Sequence, residues 1–243
     1  MGRLSALRLA NAGAKVAVLD MNEEGMAETC SLASNISAYR CDTSDLANVR
    51  EVVAQVEGEL GSIDRLTQAA AIMPAGLLKD MPAELINKQM LINYCGTVNM
   101  VKTVMPAMLA RHSGDIIIFG SMAGDVLTNH LGGYCATKSA TNTFGEVLIK
   151  ENKNCGLRIL LVCPPMVATP LIEQALVDDK FSSLHGAHQS GRMSSPDFIV
   201  DEIEKALEKG KEILRPGEAK YLVALRRLAP GLLWKLMFKA NQA

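Results

Sequence analysis

The hydrophobic positions along the chain follow two different spacings. Residues 3–12 and 132–154 repeat apolar side chains every three or four positions, whereas 114–121 and 156–163 are short and almost continuously apolar. The first spacing predicts amphipathic helices, and the second predicts strands that are buried on both faces. The chain therefore contains both kinds of element in its central part.

The same patterns extend the prediction to the rest of the chain. Further helices are predicted over 22–33, 45–60, 82–110 (as two stretches) and 196–209, and further strands over 15–20, 36–41 and 63–69. A Pro-rich turn is predicted over 164–170 and an irregular segment over 171–194, and Ser194 or Ser195 before Pro196 is expected to cap the helix that follows. Strands that alternate with such helices are typical of an α/β fold with a parallel sheet covered on both faces. No repeat or linker interrupts residues 1–243, which favours a single domain.

Composition and charge exclude several classes of function. Hydrophobic residues make up 49% and charged residues 21% of the chain, and the net charge is −1. Such a balance gives no broad basic field, so we expect no nucleic-acid binding. Six scattered cysteines without a CxxC pair indicate buried thiols in a reducing compartment. With no apolar run of about 18 residues and no signal peptide, the cytoplasm is the expected location.

Tyr134 and Lys138 are the strongest chemical signal. They lie four residues apart on the predicted helix 132–154, so both side chains point into the same volume. A free Tyr has a pKa of about 10, and a nearby cation is expected to lower it enough for the phenol to exchange a proton with an alcohol or carbonyl oxygen. Taken alone, this pair could equally be a surface Tyr and Lys.

Two further polar residues strengthen the signal. Ser121 closes the strand 114–120, where the carboxyl ends of parallel strands border a ligand crevice, and its hydroxyl could donate to an oxyanion. Asn93 stands within the helical stretch 82–110, where Asn is locally unfavourable. The alternatives are a turn serine and a solvent-facing Asn.

With these residues in place, the chain resembles the short-chain dehydrogenase/reductase family over about 1–215. The order and spacing of Asn93, Ser121, Tyr134, Lys138 and the segment Pro164–Thr169 match the family. The resemblance implies a Rossmann-type doubly wound sheet, with Tyr134 as catalytic acid/base and Lys138 as its partner, which also holds the nicotinamide ribose. It further implies that Ser121 polarises the substrate oxygen, that Asn93 holds a proton-relaying water, and that Pro164, Val167 and Thr169 border the nicotinamide.

The resemblance also implies an adenosine site. Asp20 ends the second strand of the family pattern, where an acid accepts from the ribose hydroxyls and repels a 2′-phosphate, so NAD is expected rather than NADP. Asp42 and Thr43 match the adenine-contacting pair of the family. The alternative for Asp20 is a helix cap.

The family pattern is broken in three places. Met1–Arg3 aligns with the end of the family's glycine-rich turn, with Gly2 as its last glycine, so the first strand is expected to be lacking and two strand edges to be exposed. A start assigned too late or a shortened isoform is the expected reason. Gln68–Ala71 replaces an Asn-Asn-Ala-Gly run, which puts Ala69 and Ala71 at cofactor-contact positions, and Pro165 replaces a Gly.

The residues together predict an NAD-linked oxidoreductase that interconverts a secondary alcohol and a ketone. Segment 171–194 is expected to form an apolar lid, which favours a hydrophobic substrate, and its His185 and His188 lack a third ligand, so no metal is expected. As in the family, a homodimer or homotetramer through 82–110 and 132–154 is expected. The alternative is a catalytically impaired interaction protein that keeps the fold and binds the cofactor poorly.

The stretch 219–240 has one apolar side and four basic residues, Arg226, Arg227, Lys235 and Lys239, and is broken by Pro230 and Gly231. A subunit contact or a pocket wall is favoured for this helical tail, and contact with a membrane surface is the alternative.

Overall fold

The computed structural model describes residues 1–177 and 182–239 as alternating helices and parallel strands. The strands are β1 (Val16–Asp20), β2 (Ile36–Arg40), β3 (Arg65–Gln68), β4 (Gly114–Phe119), β5 (Leu157–Val162) and β6 (Ile213–Leu214). The helices are α1 (Gly2–Asn11), α2 (Glu23–Ser31), α3 (Leu46–Leu60), α4 (Ala83–Met90), α5 (Gly96–Ala110), α6 (Gly132–Glu151), α7 (Pro170–Leu176), α8 (Ser182–Gln189), α9 (Pro196–Glu208), α10 (Ala219–Leu228) and α11 (Pro230–Lys239). The predicted α/β class with parallel strands is confirmed.

All strand pairs are parallel, but they form two separate sheets. One sheet pairs β1 with β2, and the other has the order β3-β4-β5-β6. In the larger sheet, Ile116 of β4 stands opposite Leu66 of β3 and Ile159 of β5. Parallel strands need crossover connections, and the helices between successive strands supply them.

A slot separates the two sheets. Among the residues that the structure describes, no strand pairs with the facing edges of β1 and β3. Instead, a cavity of about 710 Å³ lies between them, lined by both strands and by α1. The predicted lack of a strand at this place agrees with the split sheet, and the two edges keep backbone groups available for pairing.

Apolar side chains cover both faces of the larger sheet. On one face, α3, α5 and α6 pack Val49, Val101 and Leu148 against Ile116 and Leu161. On the other face, α9 packs Ile199, Ile203 and Leu207 against Ile117 and Leu160. Full burial of each such side chain stabilises the fold by about 2 kcal/mol. This rigid layer fixes the carboxyl ends of β4 and β5, where the predicted catalytic residues lie.

The prediction of an irregular segment over 171–194 was wrong. The segment contains α7 and α8, because Pro170 begins a helix well and Ile172 and Ala175 then face the core at helical spacing. Residues 178–181, including the predicted lid residue Phe181, lie outside the described residues. The cap of α9 by Ser195, which accepts from the Phe198 amide at 3.1 Å, is confirmed.

The helical tail is confirmed as two helices that break at Ala229, just before Pro230. Proline cannot donate a backbone hydrogen bond and clashes with the preceding turn, so it ends α10 and begins α11. Residue 240 lies outside the described residues.

Candidate active site

Ser121 lies where the chain leaves β4. Its hydroxyl oxygen accepts a hydrogen bond from the Ala123 amide at 3.1 Å and so caps the short 3-10 turn Met122–Gly124. The side chain is buried at the carboxyl edge of the sheet. This is the position at which the sequence placed a hydroxyl for a substrate oxygen.

Tyr134 and Lys138 share one face of α6, as their spacing predicted. The Lys138 Nζ lies 5.8 Å from the centroid of the Tyr134 ring and donates to the Phe119 carbonyl oxygen, the last of β4, at 2.7 Å. Both residues are buried. The structure therefore brings the phenol, the ammonium and the end of β4 together in one volume.

Burial shifts the pKa values of both groups. It raises the pKa of Tyr134 to about 12, which a hydrogen bond from Ser121 only partly offsets, and it lowers the pKa of Lys138 to about 8. The direction for Tyr134 is opposite to the lowering that the sequence predicted, because the loss of hydration of the phenolate outweighs favourable contacts. At neutral pH the phenol is therefore protonated and is a proton donor.

Asn93 is completely buried in a π-helical turn, Leu91–Cys95, which interrupts the helix between α4 and α5. Its side chain accepts from the Ile72 amide at 2.8 Å and donates to the Ile72 carbonyl at 2.9 Å and to the Thr137 hydroxyl at 3.0 Å. Asn93 thus joins the chain beyond β3 to α6, next to Tyr134. Its predicted role in holding a water stays a prediction.

Asn142 is a site residue that the sequence reasoning missed. Its side-chain oxygen accepts from the Ser121 amide at 3.2 Å, and its side-chain nitrogen donates to the Ser121 carbonyl at 3.0 Å. A Cβ atom at Gly120 would lie 2.1 Å from the Asn142 oxygen, so only glycine allows this approach. The available signal was the spacing, since Asn142 follows Lys138 by one further helical turn.

Replacing Asn142 by Ala is expected to lower kcat about ten- to hundredfold, because the Ser121 backbone loses two of its hydrogen bonds and keeps the one that its carbonyl accepts from the Gly124 amide. The free energy of unfolding should fall by about 1–3 kcal/mol. Steady-state kinetics and denaturant titration measure the two effects. Asn152→Ala is the matched control, since the Asn152 side chain donates to the Leu148 carbonyl at the far end of α6. An equal kcat for the two variants would contradict the positioning role.

The predicted adenosine-binding residues lie mostly around the cavity between β1 and β3. Gly2, Asp20, Thr43 and Ala69 all line it. Asp20 is exposed and accepts from the Asn22 amide at 3.0 Å, and Gly2 begins α1 close to Ala69. Of the other predicted cofactor contacts, Asp42 and Ala71 do not line the cavity.

The polar groups around this cavity fit the adenosine half of a dinucleotide. Asp20 offers a carboxylate, Thr43 a hydroxyl, and α1 an N-terminus whose amides have no side-chain cap. The buried Gln68 Nε2 has no hydrogen-bond partner in the described structure and also borders the cavity. The cavity continues toward the amino ends of β1 and β3, past Gly61 and Ser62, because the sheet is split there.

The loops after β4 and β5 are joined at the site. The Met122 amide donates to the Pro164 carbonyl at 2.9 Å, and the Thr169 hydroxyl donates to the Val167 carbonyl at 3.4 Å. Val167 forms an isolated parallel bridge with Ser194. Of the three predicted nicotinamide contacts, Pro164 therefore lies beside the loop that carries Ser121, and Val167 and Thr169 follow it on the loop after β5.

Helices α7 and α8 cover Tyr134. Ile172, Ala175 and Leu184 pack with Met73 and Tyr134 in one buried cluster. The Gln174 side-chain oxygen accepts from the Met73 amide at 2.8 Å, which ties α7 to the chain beyond β3. In this arrangement the phenol is closed off from solvent.

The fold and the site together define a class of protein. A Ser, a Tyr and a Lys meet at the carboxyl edge of a parallel α/β sheet, and polar groups suited to adenosine line the cavity beside β3, an arrangement typical of a Rossmann-type oxidoreductase. Residues 1–180 match the family model described as short chain dehydrogenase. The chain belongs to the short-chain dehydrogenase/reductase family, whose members are alcohol/ketone-type oxidoreductases that typically use NAD or NADP.

Several curated proteins are similar to the chain. Epidermal retinol dehydrogenase 2 of Homo sapiens is 34% identical over 95% of this chain and 75% of its own length. The 2,5-dichloro-2,5-cyclohexadiene-1,4-diol dehydrogenase of Sphingobium indicum is 32% identical over 81% of this chain and 80% of its own length. The mouse protein named epidermal retinol dehydrogenase 2 is 34% identical over 71% of this chain, and the match spans 59% of that relative.

Proposed function

We propose that the protein is an NAD-linked oxidoreductase that interconverts a secondary alcohol and a ketone on a hydrophobic molecule. The observation that carries the proposal is the placement of Ser121, Tyr134 and Lys138 in one buried volume at the carboxyl edge of the sheet. The dinucleotide, when bound, supplies or accepts the hydride at the carbinol carbon.

The residues of this chain would handle the proton and the substrate oxygen. In the direction of reduction, the Tyr134 phenol donates its proton to the carbonyl oxygen, while the Ser121 hydroxyl donates a hydrogen bond to the same oxygen. The Lys138 ammonium stabilises the phenolate that remains. Burial excludes water and makes these interactions stronger than they would be in solution.

The preference for NAD is supported by Asp20. Its carboxylate lies at the end of β1 on the rim of the cavity, where it would accept from ribose hydroxyls and repel a 2′-phosphate. Replacing Asp20 by Asn is expected to lower the NADH to NADPH ratio of kcat/KM about tenfold or more, since the repulsion is lost. Absorbance at the nicotinamide band measures both rates, and Asp80→Asn, on an exposed acid outside the cavity, is the control. An unchanged NADH to NADPH ratio in Asp20→Asn would show that Asp20 does not select the cofactor.

Segment 171–194 supports a hydrophobic substrate by acting as a lid. The segment leaves and rejoins the fold at the Val167–Ser194 bridge, where the Ser194 amide donates to the Met166 carbonyl at 2.9 Å. Between these fixed ends, α7 and α8 place apolar side chains on Tyr134. A substrate that displaces them would itself need an apolar surface. Retinol and the cyclohexadiene diol in the names of two relatives are both alcohols.

The experiment for this proposal measures NADH oxidation with a panel of ketones of increasing apolar surface. The proposal expects kcat/KM to rise with the apolar surface of the ketone. A preference for small polar ketones would overturn the hydrophobic substrate class.

We also propose a homodimer or homotetramer through 82–110 and 132–154 and a cytoplasmic location. Leu91 and Val147, both apolar and exposed, support contacts through these helices. All six cysteines are free thiols, which supports a reducing compartment. No helix among the described residues is long and apolar enough to cross a bilayer.

A second candidate is an interaction protein with impaired catalysis, and the split between β1 and β3 favours it. A folded chain that neither binds NADH nor turns over any ketone in the panel would support this candidate.

A further inference from the structure

The outward side of α10 and α11 exposes a run of large apolar side chains. Five of them are between 40% and 86% exposed: Tyr221, Leu228, Leu232, Leu236 and Phe238. Leu232 and Leu236 lie one turn apart on α11, and Tyr221 and Leu228 lie two turns apart on α10. Together with the basic residues described next, they form what we call the tail surface. Large apolar side chains left exposed on one segment in this number favour an interaction site.

The charge of the same segment is wholly positive. Residues 219–239 hold five of the 25 basic residues of the chain and none of its 26 acidic residues. The five are Lys220, Arg226, Arg227, Lys235 and Lys239. The rest of the chain is therefore net negative, although the whole chain carries a charge of −1. The tail surface is thus complementary to an anionic partner.

The inner sides of the two helices are fixed to the protein. Val223 and Leu233 pack with Val126, which lies on the loop that follows Ser121. The Arg226 guanidinium lies over the Trp234 ring, 5.5 Å from its centroid, and joins α10 to α11. Arg215 pairs with Asp125 of the same loop at 3.2 Å. The exposed apolar groups are therefore held outward by a formed core.

We propose that the tail surface docks on the surface of an anionic lipid bilayer, with α10 and α11 lying in the plane of the membrane. A helix pair that exposes large apolar groups and cations, and carries no acid, has the chemistry of an interfacial membrane helix. Lys235 and Lys239 flank Leu232 and Leu236 on α11, so cations and apolar groups would meet the headgroups and acyl chains together. A second copy of this chain is less well matched, because two tail surfaces would bring ten cations together.

Docking at this place would hold the loop that follows Ser121 close to the bilayer. This inference goes beyond the proposed function and does not depend on it, since binding to a bilayer requires no turnover. If the proposed function also holds, an apolar substrate could pass between the bilayer and the site.

The test is sedimentation of the full chain with vesicles of phosphatidylcholine alone or with roughly one third phosphatidylserine. We expect at least tenfold tighter binding to the anionic vesicles. Lys235→Glu combined with Lys239→Glu should weaken that binding by more than tenfold, since each cation contributes about fivefold. Lys209→Glu with Lys211→Glu is the matched control, because it makes the same charge change at exposed positions outside the tail.

A second pair of variants tests the apolar contribution. Leu232→Ser with Leu236→Ser should also weaken binding to anionic vesicles by more than tenfold, whereas Leu32→Ser, on another exposed apolar residue, should leave it unchanged. Circular dichroism confirms that each variant is folded. Equal binding to both kinds of vesicle, or wild-type binding by the tail variants, would overturn the proposal. The proposal would also be overturned if the protein bound no vesicles and formed a dimer that the tail variants dissociate.

Discussion

Replacing Tyr134 by Phe is expected to abolish turnover and to leave the affinity for NADH nearly unchanged. The change removes only the hydroxyl that would transfer the proton, and a positioned general acid contributes about 10²- to 10⁴-fold to the rate. The ring stays in the apolar cluster with Met73, Ile172 and Leu184, so the fold should be retained. Stopped-flow or steady-state absorbance measures the rate, and NADH fluorescence measures binding.

The matched control for this prediction is Tyr39→Phe. Tyr39 is also buried, and its hydroxyl donates to Glu59 of α3 at 2.8 Å. Loss of that hydroxyl should leave kcat within about twofold, since Tyr39 packs in a different apolar cluster from Tyr134. Wild-type turnover by Tyr134→Phe would show that Tyr134 does not transfer the proton, whatever its position in the structure.

Replacing Lys138 by Met is expected to abolish turnover and, at neutral pH, to stabilise the fold. In the native state the pKa of Lys138 is lowered from 10.5 to about 8 by burial, so keeping the ammonium charged at pH 7 costs about 3 kcal/mol. Met removes this cost and loses one charged hydrogen bond to the Phe119 carbonyl, worth about 2 kcal/mol. The net gain in the free energy of unfolding should be about 1 kcal/mol, so Lys138 is a residue kept for function at the expense of stability.

The stability difference between Lys138→Met and the wild type is expected to depend on pH. Between about pH 8 and pH 10.5 the unfolded chain holds a proton on Lys138 that the native chain has released, so the contribution of this residue to stability rises with pH. The advantage of Lys138→Met over the wild type should therefore shrink across this window. Urea titrations at pH 7 and above pH 10 measure it. Lys102→Met, at an exposed position on α5, is the control and should show no such change in its stability difference from the wild type. A wild type that is more stable than Lys138→Met at pH 7 would contradict the free-energy cost of burying the Lys138 ammonium.

The sequence was sufficient to place the main catalytic candidates. Tyr134 and Lys138 share a face because helical spacing dictates it, and Ser121 follows a short apolar run rich in β-branched residues, which favours a buried strand. The split between β1 and β3 was also predictable. The strand patterns of the sequence could be matched to the strands of the family fold, and no pattern was left for the strand between these two.

Other features depended on contacts between distant parts of the chain. Asn142 reaches Ser121 across the fold, and its spacing from Lys138 indicates a shared helix face but not that contact. Helices α7 and α8 are short, so their periodicity covers too few turns to be recognised. The rise in the pKa of Tyr134 follows from burial beneath these helices, whereas spacing alone predicted only the effect of the neighbouring cation.

The most direct test of the central claim follows a labelled hydride. NADH that carries deuterium at both C4 positions of the nicotinamide is mixed with the protein and an apolar ketone that it accepts, and the alcohol is analysed by mass spectrometry and NMR. The account predicts one deuterium on the carbinol carbon, delivered from one face, and loss of this product in Tyr134→Phe. An alcohol without deuterium at that carbon, or no alcohol with any ketone while NADH binds normally, would contradict it.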